Sequence, residues 1–184
     1  MTDRIVIRTP ATPAEVAELV RDLPKILSGR SQKHAAFRNR FWAVFAQEFM
    51  RRVRRGYQRK SWRAPDDLGN HFKAIKPKTI KRKSKKHMRH GILLPPAKYP
   101  NARNRDTDDL FNSLAAGKVT GDSYVPVKNQ ICKMLTSSIT LGSTLHYAED
   151  ALRERPAFPP GYSQWVNEAA VAAIKKTMHL LERK

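Results

Sequence analysis

Apolar residues recur with a three- and four-residue spacing along one stretch of this chain: Phe37, Phe41, Val44, Phe45, Phe49 and Val53. That period is helical and predicts a long amphipathic helix over residues 30–57, from about Ser31 to Arg55, with Gly56 as its stop. The same period makes the aromatic stripe a core face rather than a platform for stacked bases. The opposite surface carries Arg38, Arg40, Arg51, Arg52, Arg54 and Arg55, with Glu48 the one acid among them. This is not the alternating charge pattern of a solvated helix. Arginines in the last two turns also suit the negative end of the helix dipole.

The flanking pattern is shorter in period and more broken. Arg4–Arg8 (RIVIR) alternates and predicts a short strand. Thr12-Pro13-Ala14-Glu15 predicts a helix start, with Thr12 as N-cap, Pro13 in the first turn and Glu15 completing a capping box. That helix is expected to reach about Leu27, with Val16, Leu19, Val20, Leu23 and Leu27 inward and Pro24 kinking or shortening it. Trp62–Phe72 reads as a turn with one helical turn. Asp106–Ala116 predicts a short helix capped by Asp106 or Thr107, with Asp108 and Asp109 in its first turn and Leu110, Phe111 and Leu114 buried. Four strands follow, near Lys118–Thr120, Tyr124–Lys128, Ile131–Thr136 and Ser138–Leu141. Pro126 places the second at an edge or a bulge. A short helix over His146–Arg153 and a proline-rich turn lead to a last helix capped by Ser163. Val166, Ala170, Ala173, Ile174, Met178 and Leu181 form its inner face. The fold class expected is α+β. A small antiparallel sheet is flanked by the long N-terminal helix and the C-terminal helix in one domain, 1–184, whose helix–sheet–helix core is 106–184.

Charge changes this picture in one place. The chain holds 36 Lys and Arg against 16 Asp and Glu, a net +20. Residues 30–105 contain 23 of the bases and three of the acids, so the rest of the chain, with 13 of each, is neutral. Within that block residues 73–105 hold no acid at all and are interrupted by Pro77, Gly91, Pro95, Pro96 and Pro100. They predict a long basic extended loop or arm, without regular structure, ordered only by a partner. Lys76, Lys78, Lys81, Arg82, Lys83, Lys85, Lys86 and Arg89, with Arg51, Arg52, Arg54 and Arg55 of the long helix, are the residues expected to face a polyanion or a partner. Such contact requires charge and reach, not sequence readout. Ile92, Leu93 and Leu94, apolar amid that charge, are expected to dock on a neighbouring subunit.

Other chemistry is thin. A single cysteine, Cys132, excludes an internal disulfide and a cysteine-built metal site, and its neighbours make it a half-buried strand thiol suited to a reducing compartment. No apolar run approaches the roughly 18 residues of a membrane span, and residues 1–4 do not begin a signal peptide. His87, His90, Asp106, Asp108 and Asp109 could be imagined as a metal-dependent nuclease site. The aspartates, however, have a sufficient role at a helix N-terminus, and no spaced ligand motif accompanies them. Neither a nucleophile elbow nor a glycine-rich phosphate cradle is present. No catalysis, cofactor or metal is expected.

Several short elements stand in a telling order: Trp62, Lys76-Pro77-Lys78-Thr79, then Ile92-Leu93 after a basic stretch. Next come Asp106-Thr107-Asp108-Asp109-Leu110-Phe111-Asn112-Ser113-Leu114, Gly142-Ser143 with Tyr147-Ala148, and Arg155-Pro156-Ala157-Phe158 before a terminal helix. In this order the chain, from about Trp62 onward, resembles the phage virion-morphogenesis family of Mu-type tailed phages, also called tail-completion proteins. Asp108 stands where that family usually has Gly, and Glu149-Asp150-Ala151-Leu152 follows Tyr147-Ala148 in place of its His…Gly. The resemblance implies a non-catalytic virion protein at the neck or tail end, assembled in the host cytoplasm. It also implies a homo-oligomeric ring, expected to be hexameric, around the exiting genome, with neck, connector or tail proteins as neighbours and non-specific contact with DNA. The competing expectation from charge alone is a non-enzymatic nucleic-acid-binding protein with a basic disordered arm.

Overall fold

A computed structural model describes residues 13–29, 32–62, 64–89, 91–102, 108–136, 138–154, 156–158 and 161–182. The predicted strand at 4–8 and the candidate caps Thr12, Asp106 and Thr107 lie outside these residues. Among them run α1 (Pro13–Ser28), α2 (Gln32–Ser61), α3 (Pro77–Lys83), β1 (His87–Arg89), β2 (Ile92–Leu94), α4 (Asp109–Ser113), β3 (Lys118–Thr120), β4 (Ser123–Val125), β5 (Gln130–Met134), β6 (Ile139–Ser143), α5 (Ala148–Glu154), α6 (Ser163–Thr177) and α7 (His179–Glu182).

The long helix is the axis of an α+β fold. α2 packs on α1, α4, α6, α7 and strands β3 to β6. All six residues of the apolar stripe are buried. Phe37, Phe41, Phe45 and Phe49 stack in sequence at centroid distances of 6.0, 6.2 and 5.8 Å, and Phe158 continues the stack 5.7 Å from Phe49. Each such ring contributes roughly 1.5–3 kcal/mol by leaving water. A second face, invisible to a search for large side chains, is made by Ala43 and Ala46, both fully buried. Their small size lets Tyr124 and the half-buried Val119, Cys132, Met134, Ile139 and Leu141 lie against the helix. Polar ties reinforce this contact: Trp42 Nε1 donates to the Thr136 carbonyl (3.3 Å), Gln47 Nε2 to Gly117 O (3.1 Å), and Arg40 to the Gly121 carbonyl.

Several boundaries differ from expectation. α2 passes through Gly56 to Ser61, because Gly56 is a point of close approach rather than a stop: its face is occupied by Trp165 of α6. α1, by contrast, ends at Ser28, next to its expected end near Leu27, and Pro24 does not cut it short. Among the described residues of Trp62–Phe72 there is no helical turn; the Asp66 carboxylate closes a tight loop by accepting from the Leu68 and Asn70 amides, both at 2.9 Å. Ser163 is the first residue of α6, not its cap, and Tyr162 holds the cap position. Trp165 and Ala169 join Ala170, Ala173, Ile174 and Met178 on the buried face of α6, and Val166 is half-buried.

The single small sheet becomes three separate antiparallel hairpins, β1–β2, β3–β4 and β5–β6. β3–β4 turns through Gly121-Asp122, with Thr120 opposite Ser123 and Gly121 at φ 56°, a two-residue connection that favours glycine. β4 stops at Val125 because Pro126 cannot donate to a ladder. In β5–β6 Gln130 opposes Ser143 and Met134 opposes Ile139.

The basic block is not an irregular arm. It contains α3 and the β1–β2 hairpin, and Ile75, Lys83, His87, Ala97 and Ala102 within it are buried. Pro77 opens α3 at a position where its missing N–H costs nothing, which is how a proline-punctuated segment still forms a helical turn.

Candidate polyanion interface

The arginines at the C-terminal half of α2 do not act alike. Arg52 is neutralised internally, its Nε donating to Glu168 Oε2 (3.0 Å) and its Nη1 approaching Glu48 Oε2 (3.4 Å). Glu48 is also bound by Arg51 and Lys176, each at 2.8 Å. Burial pushes the Glu48 carboxyl up, but Lys176, Arg51 and Arg52 outweigh it and hold the group below its ordinary value. The Arg52 and Gln164 hydrogen bonds hold Glu168 low as well. Two carboxylates, Glu48 and Glu168, thus face three cations, Arg51, Arg52 and Lys176, which leaves one positive charge in excess. Arg55 stands 3.9 Å from Asp67, which also binds Arg59. Arg54 has no ion-pair partner among the described residues; its guanidinium lies 4.7 Å over the Phe111 ring. Arg51, Arg54, Arg55 and Gln58 line, with Ala116, an open depression of about 400 Å³.

The C-terminal end of α2 meets the basic block. Trp62 packs edge-on against Tyr99 at 5.5 Å, and Lys98 lies 5.4 Å from the same ring. Lys83 was expected to face a polyanion and does not: it is 3% exposed, and its Nζ donates to the Ala102 carbonyl at 2.5 Å. The Ala97 amide donates to the Lys83 carbonyl at 2.8 Å, so this lysine fastens residues 97–102 to α3. The reason lies in helical phase, since Lys83 falls on the inner side of α3 while Lys78, Lys81 and Arg82 fall outside. Lys76, Lys78, Lys81, Arg82, Lys85 and Lys86 are exposed and have no ion-pair partner among the described residues. Arg89 pairs with Ile92 across the hairpin, and its side chain lies outside what is described. On that hairpin Met88, Ile92 and Leu93 are more than half exposed and Leu94 is half-buried.

Two buried polar devices were not read from the sequence. Lys60, 3% exposed, donates to the Pro156 carbonyl (2.8 Å), sits 4.8 Å from the Phe72 ring and 3.9 Å from Asp66 Oδ2. Burial pushes the Lys60 ammonium down despite the Asp66 charge. The available signal was that Asp66 and Asp67 are the only acids between Glu48 and Asp106. In the second device Gln130 Nε2 donates to the carbonyls of Ser113 (3.1 Å) and Ala115 (2.8 Å), while Oε1 accepts from the Tyr124 hydroxyl (2.9 Å). That hydroxyl in turn accepts from the Gly117 amide at 2.7 Å. Burial pushes both the Tyr124 hydroxyl and the Cys132 thiol up. Nothing local in the sequence marks Gln130 for this role.

Among the described residues no group of three or more His, Cys, Asp or Glu is placed to hold a metal ion, and no helix is long and apolar enough to cross a membrane. What the fold and surface define is an α+β body with an exposed cationic flank and an apolar hairpin beside it. Comparison with protein-family models, with curated proteins and with solved structures finds no match to the chain.

Proposed function

We propose that the chain is a non-catalytic structural subunit of a tailed-phage virion, placed at the neck or tail end and assembling as a homo-oligomeric ring around the DNA path. The observation that carries this reading is the backbone at Asp108. Its φ is 62°, in the left-handed region that favours glycine, and the virion-morphogenesis family that the chain resembles usually has Gly there. A left-handed backbone is one that glycine adopts readily, so Asp108 is compatible with a pattern that has Gly at this position. The exposed Met88, Ile92 and Leu93 give such a subunit an apolar contact for its neighbour. Lys78, Lys81 and Arg82 of α3, exposed and without an ion-pair partner among the described residues, give it a face for DNA or for acidic neck, connector or tail proteins. The test is antibody labelling of purified particles. Label confined to the neck or tail end is expected; a protein absent from particles contradicts the reading.

A second reading, a non-enzymatic nucleic-acid-binding protein, is favoured by the arginine-lined depression on α2. It predicts a monomer with steeply salt-dependent affinity for nucleic acid, where the first predicts a ring.

A further inference from the structure

The depression lined by Arg51, Arg54, Arg55, Gln58 and Ala116 has a chemistry narrower than general positive charge. Its cationic groups are all guanidiniums, whose planar fork fits two oxygens of a phosphate better than an ammonium does. Arg54 is half-buried against Phe111 and has no carboxylate partner among the described residues, an arrangement that leaves a partly desolvated cation uncompensated. Arg51 shares its one carboxylate with Arg52 and Lys176, and Arg55 stands at 3.9 Å from an aspartate that Arg59 also binds. The three guanidiniums therefore present more charge to the depression than their partners neutralise.

The face is also extended. Arg51, Arg55 and Gln58 fall at i, i+4 and i+7 of α2, and Trp62, the residue just past its end, continues the same spacing, so they form one stripe of about 16 Å. It ends at Trp62, 39% exposed, whose ring meets Tyr99. A partly exposed indole, held edge-on by Tyr99 at the end of an arginine track, offers a base or a sugar a surface to lie against.

We infer that this stripe is a nucleic-acid strand site, with consecutive phosphates held at Arg51, Arg54, Arg55 and Gln58 and the adjoining nucleotide laid against Trp62. It deepens the assembly reading, because it rests on the cationic flank and names which part of that flank meets DNA. Binding is independent of sequence, since nothing in the stripe is arranged to read base edges.

The experiment titrates the full-length protein into short fluorescein-labelled DNA, single-stranded and duplex, over a range of salt, with polyglutamate as the competing acidic polymer. Arg51→Gln with Arg55→Gln is expected to weaken DNA binding about ten- to a hundredfold and to reduce the slope of log K against log salt by about 2. Arg54→Lys keeps the charge and loses the fork; it is expected to weaken binding several-fold with the salt slope unchanged. Circular dichroism melting of each variant separates lost binding from lost fold. Unchanged affinity and slope in the double variant overturns the inference, as does polyglutamate binding as tightly as DNA and lost in the same variant. The two proposals fail separately. Protein that labels particles but binds DNA independently of these arginines sinks this inference alone, and protein that binds DNA through them yet is absent from particles sinks the virion reading alone.

Discussion

Gly56 and Trp165 touch across the α2–α6 contact: a Cβ at position 56 would stand 2.5 Å from Cη2 of the indole, which is 1% exposed. The Cβ of Asp66 is 3.3 Å from the same point, so the space is closed on two sides. Glycine is thus required here by packing, and the usual cost of placing it inside a helix is outweighed by what the indole buries.

Gly56→Ala therefore runs against helix propensity. In an open helix the change gains up to about 1 kcal/mol; here displacement of Trp165 is expected to cost roughly 1–3 kcal/mol. Urea denaturation of the variant should show a net loss, and a net gain would contradict the packing.

Phe41→Ala should lower stability by about 3–5 kcal/mol, as a large-to-small change within the stacked ridge of α2. Phe41 is 1% exposed and touches Phe37, Trp42 and Phe45. The same denaturation measurement checks it, and an unchanged midpoint would mark the stripe as a surface instead.

Both sites show what could be read in advance. Phe37 to Val53 announced their helix and its buried face, because a 3.6-residue period in large apolar residues has one packing solution. Lys118–Thr120 was read to the residue, and its neighbours within about three, since Pro126 and Gly121-Asp122 punctuate them locally. Gly56 was misread as a stop because its partner lies 109 positions away, beyond any local pattern. The separate seating of β3–β4 and β5–β6 was hidden for the same reason: Ala43 and Ala46, small and unremarkable in sequence, receive those four strands. At the candidate interface the cations themselves were legible from composition. Which of them are spent internally was not: Arg52 is bound by Glu168 and Lys83 by the Ala102 carbonyl, both long-range contacts.

Gln130→Leu should cost about 2–4 kcal/mol. It leaves the carbonyls of Ser113 and Ala115 without their side-chain donor and the Tyr124 hydroxyl without its acceptor. Tyr124→Phe removes one member only and should cost about 1 kcal/mol. Equal effects from both, by chemical denaturation, would contradict the central place of Gln130.

At position 108, Gly should be more stabilising than Ala by about 1 kcal/mol, because the backbone there is left-handed. Comparing Asp108→Gly with Asp108→Ala by thermal melting checks this. Equal melting temperatures would remove the conformational link on which the virion reading leans.

Acid should weaken the protein through Glu48. Its carboxyl is held below the ordinary 4.5 in the folded chain, so its contribution is complete above that value and is lost as pH falls through the lower folded value. Glu48→Gln should lower stability at neutral pH and flatten the acid limb of the urea midpoint plotted against pH. An acid limb identical to that of the unsubstituted protein would show that other carboxylates carry it.

The central claim, that this is a subunit of a closed assembly docked through its apolar hairpin, is tested most directly by sedimentation velocity. The full-length protein should be compared with the Ile92→Ser, Leu93→Ser double variant. Both residues are more than half exposed, so the exchange should leave the melting temperature unchanged. The expected result is a discrete ring-sized species for the unsubstituted protein and a monomer for the variant. A monomer for both at every concentration, or an assembly that ignores the two substitutions, would contradict the account.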